Sequence, residues 1–156
     1  MANRLELKVP PVLVMLILGA AAWGLAWLTP QLGLFMLPTV LRGVAIACIG
    51  AGAGFVLAGV RSFRKAETTV NPTTPNDSSS VVSTGIYRLT RNPMYVGMLF
   101  MLIGWAFYLA NGLAWLAIPA FILYMNRFQI APEERALSAK FGEEYIRYRQ
   151  AVRRWL

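Results

Sequence analysis

Histidine is missing altogether from the 156 residues, and there is a single cysteine, Cys48. A disulfide within the chain is therefore impossible, and a metal site built from His and Cys is excluded. Without histidine, any acid–base step falls to Glu, Asp, Tyr or Lys. Charge is scarce as well: 14% of residues are charged, against 57% hydrophobic. That balance belongs to a membrane protein rather than a soluble one. Asp and Glu number only 7, and none falls inside a long apolar run. This counts against a proton-coupled transporter, which usually needs a carboxylate within the bilayer. Neither a P-loop nor a Rossmann glycine signature occurs.

What the chain does contain is apolar runs, each close to the roughly 20 residues needed to cross a bilayer. Pro11–Leu28 carries no charge and lacks a clear small-residue cleavage site, so it reads as a retained span, not a cleaved leader. Trp23 and Trp27 lie near its far end, where indoles favour the interface. Residues 34–60 form the second run, with Arg42 placed to snorkel to the headgroups. Its Gly50-Ala-Gly-Ala-Gly54 stretch has little side-chain bulk and is expected to pack closely on a neighbouring helix. Residues 93–110 and 113–128 form a third and a fourth, joined by a turn at Asn111-Gly112. Pro119 is expected to kink the fourth and free a carbonyl.

Lys and Arg cluster at the N-terminus, in residues 61–91 and after Arg127, while the loops at residues 29–33 and 111–112 carry none. The positive-inside bias then places both termini in the cytoplasm. The net charge of +8 is expected to face anionic lipid, not nucleic acid. Residues 67–80 are polar, with Pro72 and Pro75, and read as an exposed loop. Residues 132–155 read as a last helix with Leu137, Phe141, Tyr145, Tyr148, Val152 and Trp155 on one apolar stripe. The expected fold class is all-α: an integral membrane protein with four transmembrane helices and a C-terminal amphipathic cytoplasmic helix. Residues 1–60 would be a two-helix hairpin, 61–83 a polar loop, and 84–156 a second hairpin plus the last helix, all one membrane domain.

The densest polar chemistry beside a span is Thr84-Gly-Ile-Tyr-Arg-Leu-Thr-Arg-Asn-Pro-Met-Tyr-Val-Gly97. Asn92 is expected to cap a helix through its side-chain oxygen, with Pro93 at the first helical position. Arg88 and Arg91 add charge there; Tyr87 and Tyr95 add aromatic faces with hydroxyl tips. The plain structural reading is a capped helix flanked by membrane-surface arginines. If the fourth run and the last helix fold back on it, Arg127, Gln129, Glu133 and Glu134 join the cluster. Such a mixed set suits a zwitterionic ligand that carries a nucleobase.

The ordered set Gly85-Ile-Tyr-Arg-Leu-Thr-Arg-Asn-Pro-Met-Tyr-Val-Gly97, then Glu133-Glu134-Arg-Ala-Leu137 and Phe141-Gly-Glu-Glu-Tyr145, resembles the isoprenylcysteine carboxyl methyltransferase family. The likeness covers residues 79–156 and extends to the related phospholipid methyltransferases. It implies an integral membrane enzyme that uses S-adenosylmethionine without a Rossmann domain and without metal. It also implies a setting such as the bacterial inner membrane, the bilayer as partner and a lipophilic methyl acceptor. By resemblance, Ser79 and Val82 would contact the cofactor largely through backbone. Tyr87, Arg91, Asn92, Pro93, Tyr95 and Glu133 would complete its site, and Arg127 and Glu134 would be the catalytic candidates. Two positions depart from the family pattern: its usual histidine is Asn92 here, and its substrate-facing arginine falls on Gln129.

Three readings compete. One is methyl transfer to a prenylcysteine-like or other lipophilic acceptor. Another keeps the cofactor site but methylates a phospholipid or a small thiol. The last, a four-span transporter or adaptor, needs no Glu-Glu pair and would not retain S-adenosylmethionine. Oligomeric state is left open.

Overall fold

Proline opens three of the long helices. In α1 (Pro11–Leu28), α2 (Pro38–Lys65) and α3 (Pro93–Leu109) the first residue is proline. Its ring presets φ there, and its missing N–H costs nothing in the first turn. The computed structural model describes residues 6–34, 37–66 and 79–156. The expected polar loop falls mostly on residues 67–78, outside the described residues. Among the described residues the architecture is helical, and the sole β feature is an isolated bridge between Gly33 and Asn111.

Close backbone approach joins α2 to α3. Ala45, Gly52 and Gly59 recur every seventh residue on α2 and are all buried. Ala45 and Gly52 face Gly104 and Gly97 of α3, and Gly59 faces Pro93 and Met94. A Cβ on Gly52 would sit 2.5 Å from the Gly97 carbonyl oxygen, and one on Gly104 would sit 2.8 Å from that of Ala45. Only glycine permits this contact, and in lipid such contacts supply much of the association. The expectation for the glycine-rich run holds at Gly52 alone: a Cβ added at Gly50 or Gly54 would meet nothing within 4 Å. Those two lie on the other sides of the helix.

At one end of the bundle the loops are uncharged and clasped. Leu34 N donates to the Ala110 carbonyl at 2.7 Å, and Asn111 Nδ2 donates to that of Thr29 at 2.8 Å. Ala110 ends α3 in the left-handed region. Asn111 then caps the 3₁₀ turn Gly112–Leu116 by accepting from Leu113 N at 2.9 Å.

From there the chain runs without a break through α4 (Ala117–Tyr124), a π-helical turn Met125–Ile130 and α5 (Ala131–Phe141). Two expectations are corrected here. Pro119 does not kink a helix interior: it sits in the first turn of α4, where proline is tolerated. Pro132 does not start a separate helix either, because the π turn ahead of it widens the coil and the helix passes through. The break comes at Gly142, whose φ is +53°. It divides the expected last helix into α5 and α6 (Glu143–Ala151).

Three helical stretches, Pro11–Leu28, Pro38–Lys65 and Gly112–Phe141, are long and apolar enough to cross a membrane, and Pro93–Leu109 is a shorter apolar helix. Leu16, Ile46, Leu57 and Leu123 are exposed on their outer faces, as suits helices bathed in acyl chains rather than water. α3 packs against both α1 and α2. Val14, Tyr95, Leu102, Phe121, Met125 and Ile130 form the main core. That core carries one polar residue, Tyr95, at its charged end.

Candidate functional site

The 3₁₀ turn Gly85–Arg88 leads to α3, and the turn between them is set by Thr90. The Thr90 hydroxyl accepts from Asn92 N at 3.2 Å and donates to the Arg154 carbonyl at 3.1 Å. Thr90 is fully buried. Asn92 does not cap α3 as expected: its side chain makes no capping bond. Its Nδ2 donates instead to the Arg154 carbonyl at 2.8 Å. The tail carbonyl competes for the side chain, and Thr90 takes over the turn.

A C-terminal latch follows from these bonds. The chain leaves α6 at Val152, whose backbone is extended, and residues 152–156 cross the start of α3, where Arg91 N donates to the Arg153 carbonyl at 2.9 Å. The Arg91 side chain is about nine-tenths buried. Its Nη1 donates to the carbonyls of Arg149 and Val152 at 2.6 Å each, and Nη2 to Glu134 Oε1 at 2.7 Å. Arg154 reaches the other side of the same carboxylate, with Nη2 2.6 Å from Oε2. Glu134 is thus a carboxylate held between two guanidinium groups. Asn126 Oδ1 accepts from Trp155 Nε1 at 3.1 Å and pins the end of the tail.

Deeper lies a second cluster. Tyr95 OH donates to Glu133 Oε1 at 2.5 Å, and Gln129 Nε2 donates to the same oxygen at 2.6 Å. Tyr95 is buried, whereas Glu133 keeps partial exposure. Around it stand three phenols outside the spans. Burial pushes the Tyr87 hydroxyl up, with Tyr148 and Glu133 adding to the rise. Burial also pushes Tyr145 up to about 12, and Tyr148 up further. All three stay protonated at neutral pH; Tyr148 OH donates to the Tyr87 carbonyl at 2.8 Å. Tyr87 also meets Phe63 edge-on, with centroids 5.4 Å apart, which ties the site to the end of α2.

The structure therefore brings Tyr95, Gln129 and Glu133 together, and it sets Arg91, Asn92 and Glu134 beside them in the latch. Pro93 is buried at the first position of α3. Val82 is buried and Ser79 exposed, in the segment where Ser80 Oγ reaches the Ala66 carbonyl at 3.3 Å. Arg127 is not brought in: its side chain is 63% exposed and points to Glu6 at 4.0 Å. The widened π turn carries it to the outer face. Thr90, Asn126 and Arg154 escaped sequence reasoning, and Tyr148 and Trp155, expected on an apolar stripe, turn out to donate hydrogen bonds at the site. The Thr-x-Asn spacing is a recognisable local turn signal, but nothing local marks the tail that bonds to it 64 residues away.

Between α1 and α3 lies an apolar groove of about 490 Å³, lined by Met15, Gly19, Trp23, Met101, Leu102 and Trp105. The indole N–H of Trp105 is already used: Nε1 donates to the Gly19 carbonyl at 3.0 Å. Leu102 belongs both to this groove and to the core that contains Tyr95.

A phospholipid methyltransferase family profile matches residues 40–144, which contain α3, the hairpin and both acids of the site. This chain belongs to the phospholipid methyltransferase family. An uncharacterised protein of Haemophilus influenzae is 56% identical over 63 residues, which is 40% of this chain and all of that protein. Among named relatives, the human protein-S-isoprenylcysteine O-methyltransferase is 31% identical over 77 residues, 49% of this chain and 27% of its own length. A probable protein-S-isoprenylcysteine O-methyltransferase of Oryza sativa is 33% identical over 131 residues, 81% of this chain and 60% of its own. The chain thus spans only part of the named relatives it matches. No solved structure matches it.

Proposed function

We propose that this family member is a membrane methyltransferase that takes its methyl group from S-adenosylmethionine and passes it to a lipophilic acceptor. The observation that carries the proposal is the bonded Tyr95–Glu133–Gln129 cluster, set at the charged end of an apolar bundle inside the matched region. The donor set fits such a cofactor. Glu133 offers a partly exposed carboxylate to hydroxyl, amino or cationic groups. Arg91 Nε is a buried donor with no partner among the described residues. Bound there, the cofactor supplies an electrophilic methyl on a sulfonium, so the protein has mainly to align the partners and exclude water.

The residues present also narrow the acceptor. Glu134 is committed to Arg91 and Arg154, and Glu133 to Tyr95 and Gln129. An acceptor that arrives with a lone pair already available, such as a carboxylate, fits best because it needs no base. The O-methyltransferase names of the relatives favour this form; the family description makes a phospholipid amine the second candidate. The groove between α1 and α3 gives the acceptor's apolar part a way in from the bilayer. Tyr87, with Ser79 and Val82, would flank the cofactor from the side of α2.

We further propose four spans, with α3 and the stretch from Gly112 to the π turn as the third and fourth. Both termini would be cytoplasmic, in a bacterial inner membrane. The clasped loops carry no charge, while Arg61, Arg64, Arg88 and Arg149 gather at the opposite end, as the positive-inside rule requires.

Calorimetric titration of purified protein with S-adenosylmethionine tests the site. Glu133→Gln and Tyr95→Phe should each weaken binding about tenfold or more, as removal of a buried charged hydrogen bond does. Transfer of labelled methyl from the cofactor into a membrane lipid extract, with the product weighed by mass spectrometry, identifies the acceptor. Unchanged affinity in both variants would falsify this placement.

A further inference from the structure

Ahead of α1, Leu7 adopts φ +58°, a left-handed conformation that a leucine seldom takes. The conformation has a visible consequence: Leu7 N donates to the Phe128 carbonyl at 3.0 Å. In a regular helix that carbonyl would receive the N–H of the residue four positions on. Here that residue is Pro132, which has no N–H and whose ring crowds the same carbonyl. The coil answers by widening: Ala131 N bonds to the Asn126 carbonyl, five residues back. The N-terminal segment answers by supplying the donor that proline lacks.

Next to Leu7, the Glu6 side chain is largely buried and pairs with two arginines, Arg127 within the π turn and Arg135 in α5 beyond it. Glu6 Oε2 is 2.5 Å from Arg135 Nη2, and Oε1 is 4.0 Å from Arg127 Nη1. The strap therefore holds the helix in the middle of the turn, at Arg127 and Phe128, and just beyond it, at Arg135. That turn determines which way Gln129 and Glu133 point. Both must reach the same place, since Gln129 Nε2 and Tyr95 OH converge on one oxygen of Glu133. A π turn is a common device for re-aiming side chains at functional sites, and it is costly enough to need outside support.

We propose that Glu6 and Leu7 are positioning residues: they fasten the π turn Met125–Ile130 in the register that presents Gln129 and Glu133 to Tyr95. The proposal rests on the cofactor site assigned above and names a part of the chain, ahead of the first helix and outside the matched region, as a component of it. Arg127 thereby gains a role different from catalysis, as an outer contact of the strap. The strap touches no bound molecule; it acts through Glu133.

The test uses the full chain in detergent with two readouts. Glu6→Arg places a like charge against Arg127 and Arg135. Hydrogen exchange followed by mass spectrometry should show residues 126–135 exchanging about tenfold faster, while α2 and α3 exchange as in wild type. Titration with S-adenosylmethionine should show binding about tenfold weaker, the scale on which outer partners act on a site. Adding Arg135→Glu to Glu6→Arg restores one ion pair and should recover most of both effects. Unchanged exchange in residues 126–135 overturns the proposal. So does faster exchange with unaltered cofactor affinity, because the strap would then hold the helix without placing the site. If wild type itself binds no S-adenosylmethionine, the cofactor reading falls, and the exchange data alone decide whether the strap fastens the turn.

Discussion

The two ends of this bundle are built from opposite materials. At the uncharged end, Thr29, Leu34, Ala110 and Asn111 are tied by short backbone and amide hydrogen bonds, and no titratable group takes part. At the other end, the buried Arg91 and Glu134 and the partly exposed Arg154 form an ion network, beside a carboxylate held by a tyrosine and an amide. The clasp holds two connections in place. The network closes the C-terminal tail over the start of α3, on residues that the family match also spans. Neutral amides close a loop at little electrostatic cost. A buried carboxylate between guanidinium groups is expensive to desolvate, and its retention needs a reason beyond stability. Fixing the tail against the start of α3 is such a reason.

The comparison can be broken first at the network. Glu134→Ala leaves two guanidinium groups without their counter-charge, and it should cost about 3 kcal/mol or more. Thermal unfolding in detergent would show the loss, and proteolysis should cut the tail near residues 152–156 faster than in wild type. A second substitution tests the seam that joins the ends. Gly97→Val should cost about 2 kcal/mol, the range for overpacking, because its Cβ would meet the Gly52 carbonyl. It should lower the melting temperature without preferential exposure of the tail.

Smaller effects sharpen the contrast. Asn111→Ala removes a cap and the link to Thr29, for about 1 kcal/mol. Titration should find cofactor affinity unchanged; a tenfold loss would mean that the two ends are not independent. Arg127→Gln should shift stability by no more than about 0.5 kcal/mol, as an exposed side chain with only distant partners does. A loss of methyl transfer in that variant greater than in Glu133→Gln would return Arg127 to the reacting centre.

The sequence was legible where a local rule acts alone. Pro11 and Pro93 mark helix starts, Ala110 to Gly112 a connection, and the apolar runs a membrane bundle; all three follow from backbone sterics and hydropathy. The Tyr95 and Glu133 positions came through resemblance, carried by a short motif of fixed order. Where two distant segments compete for one group, local reading failed. Asn92 had a good capping position, but the tail carbonyl of Arg154 claims its amide and Thr90 substitutes. Pro132 was a good first helical residue, but the π turn and the Leu7 N–H let the helix run through it. Arg127 lay near the acidic pair in sequence, but the helix turns it outward.

By itself the sequence determined that this is a helical, apolar, histidine-free chain, basic at one set of its connections and uncharged at the other, with a polar motif at one helix mouth. Composition and periodicity suffice for that, because burial in lipid and backbone pairing depend on residue type and short spacing. Only the tertiary structure decided which partner each polar side chain takes, where the last helix breaks, and that Glu6 and Leu7 reach the π turn. Those outcomes turn on a few ångströms between segments far apart in the chain. Buried charges and proline-vacated carbonyls bond whichever group the packing brings within reach.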